Sequence, residues 1–194
     1  MRLILALVLT LVPTAAFAHS GHGDVGGLIH GFLHPLGGLD HVLAMVAVGV
    51  LAFVLGGRAL LLVPLAFVAA MIVGFLVGIG GVGVPFAELG IGVSSIAIAA
   101  AAAWGKPMHA GAAMSLVGVF ASFHGYAHGA EMPAGAEGLE YALGFILATA
   151  LLHASGIATA MGVARLIGTN GKPVARAAAG LIAFGGIGVL AGWL

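Results

Sequence analysis

The 194-residue chain has no cysteine and very little charge: six basic and six acidic side chains, with a formal net charge of zero. Without cysteine there are no disulfides and no thiolate metal sites, which also argues against Cu(I) or structural zinc. Without a basic surplus there is no face for nucleic acid. The chain is 6% charged and 62% hydrophobic, whereas a soluble domain runs near 25% and 45–50%. That excess of apolar residues is too large for a globular core and marks an integral membrane protein. The length accommodates one compact bundle of five to seven helices at about 20 residues each. Glycine is abundant, at 34 residues, and small residues let membrane helices approach closely.

Residues 1–18 read as a cleavable signal peptide: Arg2, an apolar stretch from Leu3 to Val12, then Ala16-Phe17-Ala18 as an A-x-A cleavage site. An uncleaved first span is the alternative. Residues 19–194 form a single transmembrane domain. Six apolar segments are expected, near Leu28–Leu55, Ala59–Ile79, Phe86–Ala103, Met108–Ala130, Leu139–Ile167 and Val174–Leu194. The fold class is thus all-α, a polytopic membrane helical bundle of about six spans. Gly/Pro-rich turns separate them, including Gly80 to Pro85 and Gly168 to Pro173. Gly74/Gly78 and Gly188/Gly192 offer GxxxG contact faces. With the mature N-terminus outside, Arg58, Lys106, Arg165, Lys172 and Arg176 all fall on the cytoplasmic side, as the positive-inside rule requires. Glu88, Glu131, Glu137 and Glu140 fall at or near the outer side. Trp104 and Trp193 suit the two interfaces.

Two motifs carry chemistry. The first is His34-Pro35-Leu36-Gly37-Gly38-Leu39-Asp40-His41. An Asp at a helix centre in lipid costs about 2.5–3.5 kcal/mol on insertion scales, so such a group is functional by default. Pro35 and Gly37-Gly38 either start a span or break one. On a continuous helix His30, His34 and His41 would share a stripe, with Asp40 and His41 one to two turns below the outer surface. The second motif is Phe123-His124-Gly125-Tyr126-Ala127-His128-Gly129-Ala130-Glu131. His124, His128 and Glu131 recur at i, i+4 and i+7 on one helix face, and H-x-x-x-H is a standard two-imidazole metal geometry. Both motifs are expected at similar depth. A polar cap at Asp40 and an interfacial His/Glu face are the structural alternatives.

Single residues extend the candidate metal set. Glu88 opens the third segment, where it completes the site, caps the helix or is solvated; Glu140 has a weaker claim of the same kind. Deep in the fifth segment, near Thr149 and Ser155, His153 is an inner waypoint or a hydrogen-bonded structural histidine. His19 and His22, beside Asp24, form a weak N-terminal capture segment or a solvated tail. His30 and Met45 are further weak candidates, and His109 stands at the cytoplasmic end. No Walker A loop, G-x-S-x-G or H-E-x-x-H occurs, so an ATP-driven pump is not expected; the first reading is a transporter, not an enzyme.

The leader, HPLGGLDH at 34–41 and FHGYAHGAE at 123–131 together resemble the HupE/UreJ family of bacterial nickel permeases, over essentially the whole chain. The resemblance implies a multi-pass inner-membrane protein, mature N-terminus periplasmic, importing nickel and sometimes cobalt for urease or hydrogenase maturation. It implies site positions at His34, Asp40, His41, His128 and Glu131, with His124 beside them. A separate nickel/cobalt permease family carries H-x4-D-H, whereas the spacing here is H-x5-D-H. The expected partners are a divalent metal ion as transported substrate and the lipid bilayer; no nucleic acid and no prosthetic group are expected. Oligomeric state is left open, a homo-oligomer included. The alternatives are an intramembrane zinc-dependent hydrolase and a metal-sensing accessory protein. Ligand types alone do not separate Ni²⁺ from Co²⁺, Zn²⁺ or Cu²⁺.

Overall fold

Apolar runs punctuated by glycine turns fold as helices, because only helices and closed barrels satisfy the backbone within lipid. The computed structural model describes residues 26–168 and 171–194. These form α1 (Gly27–Gly37), α2 (Leu39–Leu55), α3 (Ala59–Ile79), α4 (Ala87–Trp104), α5 (Ala110–Ala130), α6 (Gly138–Ile167) and α7 (Gly171–Leu190), with no strand among the described residues. The leader, its cleavage site, and His19 and His22 lie outside the described residues.

The expected segment Leu28–Leu55 is broken into two helices, the second of the two readings that Pro35 and Gly37-Gly38 allow. Gly38 is extended (φ −106°, ψ 122°), and α1 and α2 meet there at 85°. Pro35 removes a backbone donor in the last turn of α1, so the helix ends two residues later. The continuous stripe of His30, His34 and His41 therefore does not form.

Four helices, α3, α4, α6 and α7, are long and apolar enough to cross a membrane, and a fifth crossing is counted if α1 and α2 are one broken span. The expected sixth crossing would be α5, which does not pass the same measure of length and apolarity. That helix has 21 residues, but His124, His128, serines and glycines dilute its apolarity. At the other boundaries, Phe86 is not helical but left-handed (φ 60°) just before α4. The helix α7 starts at Gly171, because Pro173 is tolerated in a first turn.

The central element is α2. It packs against α3, α4, α6 and α7, and buries Ala44, Met45 and the run Ala47–Ala52. Apolar residues all round a helix are the mark of such a buried position. Glycines set the closest crossings. Gly74 and Gly78 of α3 face Gly125 and Gly129 of α5: a Cβ on Gly125 would overlap the Met71 carbonyl, and one on Gly78 would lie 2.9 Å from Gly129 Cα. Gly49 of α2 pairs in the same way with Gly156 of α6, and Gly31 of α1 with Gly144 of α6. The second expected GxxxG face does not exist. Gly192 lies beyond α7 at φ +71°, and Gly188 meets only Leu194.

From α2 onward the helices alternate direction, which gathers the two motifs at one end and the basic residues at the other. Arg176 at the start of α7 donates to the α4 C-terminal carbonyls, Nε to Ala103 at 3.2 Å and Nη2 to Trp104 at 2.8 Å. It thereby satisfies two carbonyls that the helix leaves free. Lys106 lies 5.1 Å over the Trp104 ring.

Candidate metal-binding site

At the motif end, the bend at Gly38 lays α1 along the start of α6, from where His34 reaches the end of α5. This brings His34 (α1), His41 (α2), His124 and His128 (α5) together. The ring centroids of His41 and His124 are 4.6 Å apart, His34 and His128 4.9 Å, His41 and His128 5.4 Å, and His34 and His41 6.3 Å. His124 and His128 are fully buried. Below them Phe145 stacks flat on His128, 4.7 Å between centroids and 4° between planes, which fixes the orientation of that ring. Phe67 lies 5.7 Å from His124.

The hydrogen bonds set the imidazole tautomers. Asp40 Oδ1 accepts from His41 Nδ1 at 3.0 Å, and a carboxylate only accepts, so Nδ1 carries the proton and Nε2 the lone pair. The Ser94 hydroxyl donates its single proton to the Ile91 carbonyl at 2.5 Å. The 2.8 Å contact between Ser94 Oγ and His124 Nε2 therefore has His124 as donor, leaving the lone pair on Nδ1. Both lone-pair atoms, His41 Nε2 and His124 Nδ1, are buried without a partner, as are both nitrogens of His128. Buried polar atoms are nearly always paired, and an unpaired one costs about 1–3 kcal/mol. Four such atoms in one cluster point to a ligand. Glu131 Oε2 lies 3.3 Å from His34 Nε2 at the exposed rim.

The rings pack edge to face without converging. Among the described residues, no three His, Asp or Glu groups stand in a ligating arrangement. Their spacing nevertheless suits an ion. With metal–nitrogen bonds of about 2.0–2.1 Å, two imidazoles on one metal place their centroids about 4.5–6.4 Å apart for bond angles between 90° and 180°. All four observed separations fall in that interval.

The other expected ligands lie elsewhere. Glu88, in the first turn of α4, is exposed and makes no ion pair with the cluster. His30 is exposed and lines a separate cleft of about 360 Å³ with Glu137 and Glu140, because the bend at Gly38 parts it from His41. His109 is exposed at the basic end. His153 is buried in α6, 5.0 Å from the Phe67 ring on the side away from the motif end. The sequence reading missed Ser94, Phe67 and Phe145. Ser94 had one usable signal, a hydroxyl that with Ser95 interrupts the apolar interior of α4.

The HupE / UreJ protein family profile matches residues 7–189. The chain belongs to the HupE/UreJ family. It is 39% identical over 193 residues to Protein HupE of Rhizobium leguminosarum bv. viciae, covering 98% of both chains. No solved structure matches it. Within this HupE/UreJ chain, both sequence motifs supply rings to the same cluster.

Proposed function

We propose that this HupE/UreJ protein moves a divalent transition-metal ion, Ni²⁺ first and Co²⁺ second, from periplasm to cytoplasm across the bacterial inner membrane. The observation that carries the reading is the cluster of unpartnered imidazole nitrogens where α1, α2 and α5 meet. The family, associated with nickel supply to hydrogenase and urease, supports the choice of ion. In this reading α5 also crosses the membrane, giving six spans after a cleaved leader. The basic end faces the cytoplasm, in keeping with the positive-inside rule.

The ion is captured at the rim by Glu131 and His34, with His19 and His22 as outer contributors. It sheds water as the unpartnered nitrogens of His41, His124 and His128 take the water's place. Imidazole favours borderline transition metals over hard Mg²⁺ and Ca²⁺, and Asp40 and Glu131 offset the charge. No nucleotide is required. Two charges crossing an inside-negative membrane gain about 2.3 kcal/mol each per 100 mV, enough for roughly a thousandfold accumulation at 1.4 kcal/mol per decade. The test is Ni²⁺ uptake into proteoliposomes holding only this chain, compared with His41→Ala and His128→Ala. Uptake that both variants leave intact at limiting Ni²⁺, with normal protein levels, removes the cluster from the path.

A further inference from the structure

Below the histidine cluster lies a second polar group that the cluster does not use. His153 of α6 is 2% exposed, and neither of its ring nitrogens has a partner. One turn earlier on the same face, the Thr149 hydroxyl reaches two thioethers, Met45 Sδ of α2 at 3.4 Å and Met71 Sδ of α3 at 3.7 Å. Thr149, Met45 and Met71 are all fully buried. Met45 follows His41 by one helical turn, so one face of α2 leads from the cluster to the thioethers. The Phe67 ring separates the two levels, 5.7 Å from His124 and 5.0 Å from His153.

We propose that His153, Met45, Met71 and Thr149 form a second station for a borderline-to-soft transition-metal cation, reached from the histidine cluster past Phe67. The inference rests on the transport reading above and adds an inner stop to it. Packing alone does not account for the group. Leucines would fill the same space, and an apolar level would leave no bare imidazole. Thioether and imidazole together select against hard cations. Every member is neutral when the imidazole is unprotonated, in contrast to the carboxylates at the outer cluster. An uncharged station holds a dication weakly, which suits an ion that must leave it.

The experiment compares Met45→Leu/Met71→Leu, a nearly volume-conserving change, and His153→Gln with wild type. Full-length protein is titrated with Ni²⁺ in detergent and assayed for Ni²⁺ uptake in phosphatidylcholine/phosphatidylglycerol vesicles. In both variants the high-affinity Ni²⁺ binding at the cluster is expected to stay intact while uptake falls about tenfold or more, the scale of losing metal-site groups. A smaller fall in both variants overturns the station. Loss of the high-affinity binding alongside uptake also overturns it, because the two levels would then be one site. Wild-type protein that neither binds nor moves Ni²⁺ fails the transport reading itself, and the station with it. If His153→Gln does not fold, the methionine double variant decides alone.

Discussion

Asp40 Oδ1 accepts two hydrogen bonds from one residue, His41: from the backbone N–H at 2.8 Å and from the ring Nδ1–H at 3.0 Å. The carboxylate thus holds the imidazole by its near nitrogen and turns Nε2 into the buried cluster. Histidine ligands of metals commonly donate their other ring N–H to such an acceptor, and loss of the acceptor typically costs 10–100-fold in metal affinity. Asp40→Ala is therefore expected to weaken Ni²⁺ binding by about that range. Asp40→Asn keeps an accepting oxygen but no charge, and should fall between Ala and wild type. Calorimetric titration of the purified variants measures the series. Equal affinity in all three proteins would mean that Asp40 neither orients the ring nor compensates the ion.

Ser94 does for His124 what Asp40 does for His41, without charge. With its own proton committed to the Ile91 carbonyl, its oxygen can only accept from His124 Nε2–H. Ser94→Ala leaves that N–H buried without an acceptor and frees the ring to take the other tautomer. A loss of about tenfold or more in Ni²⁺ affinity is expected, with Ser94→Thr restoring it. Nitrogen chemical shifts of ring-labelled histidine report the tautomer directly. An unchanged His124 signal in Ser94→Ala would contradict the assignment.

Much of this site was legible from the chain. Residues expensive to place in lipid stand out against an apolar background, and the i, i+4 spacing of His124 and His128 puts both rings on one face whatever the rest of the fold does. The break at Gly38 was legible only as an alternative, because Pro35 and two glycines permit either a kink or a start. Its direction decides which histidines meet. A straight helix joins His30 to His41, whereas the 85° bend parts them and carries His34 onto His128. The roles of Ser94 and Phe145 depend on which helices touch, and no local pattern encodes that. Glu88 shows the reverse: its position in the sequence suited the site, but the first turn of α4 leaves it exposed.

Gly38 gives a test of the bend. A Cβ there would lie 2.7 Å from Asp40 Oδ1 and 3.0 Å from His41 Nδ1. Gly38→Ala should displace the pair and lower Ni²⁺ affinity while leaving thermal stability close to wild type, since the bundle below is untouched. Gly125→Ala should do the opposite kind of damage. Its Cβ overlaps the Met71 carbonyl across the α3–α5 crossing, and overpacking typically costs about 1–3 kcal/mol. Gly111→Ala, with open space around it, serves as the control on α5. Melting in detergent should rank Gly125→Ala clearly below both others. Equal midpoints would show that the glycine crossing is not close in the protein.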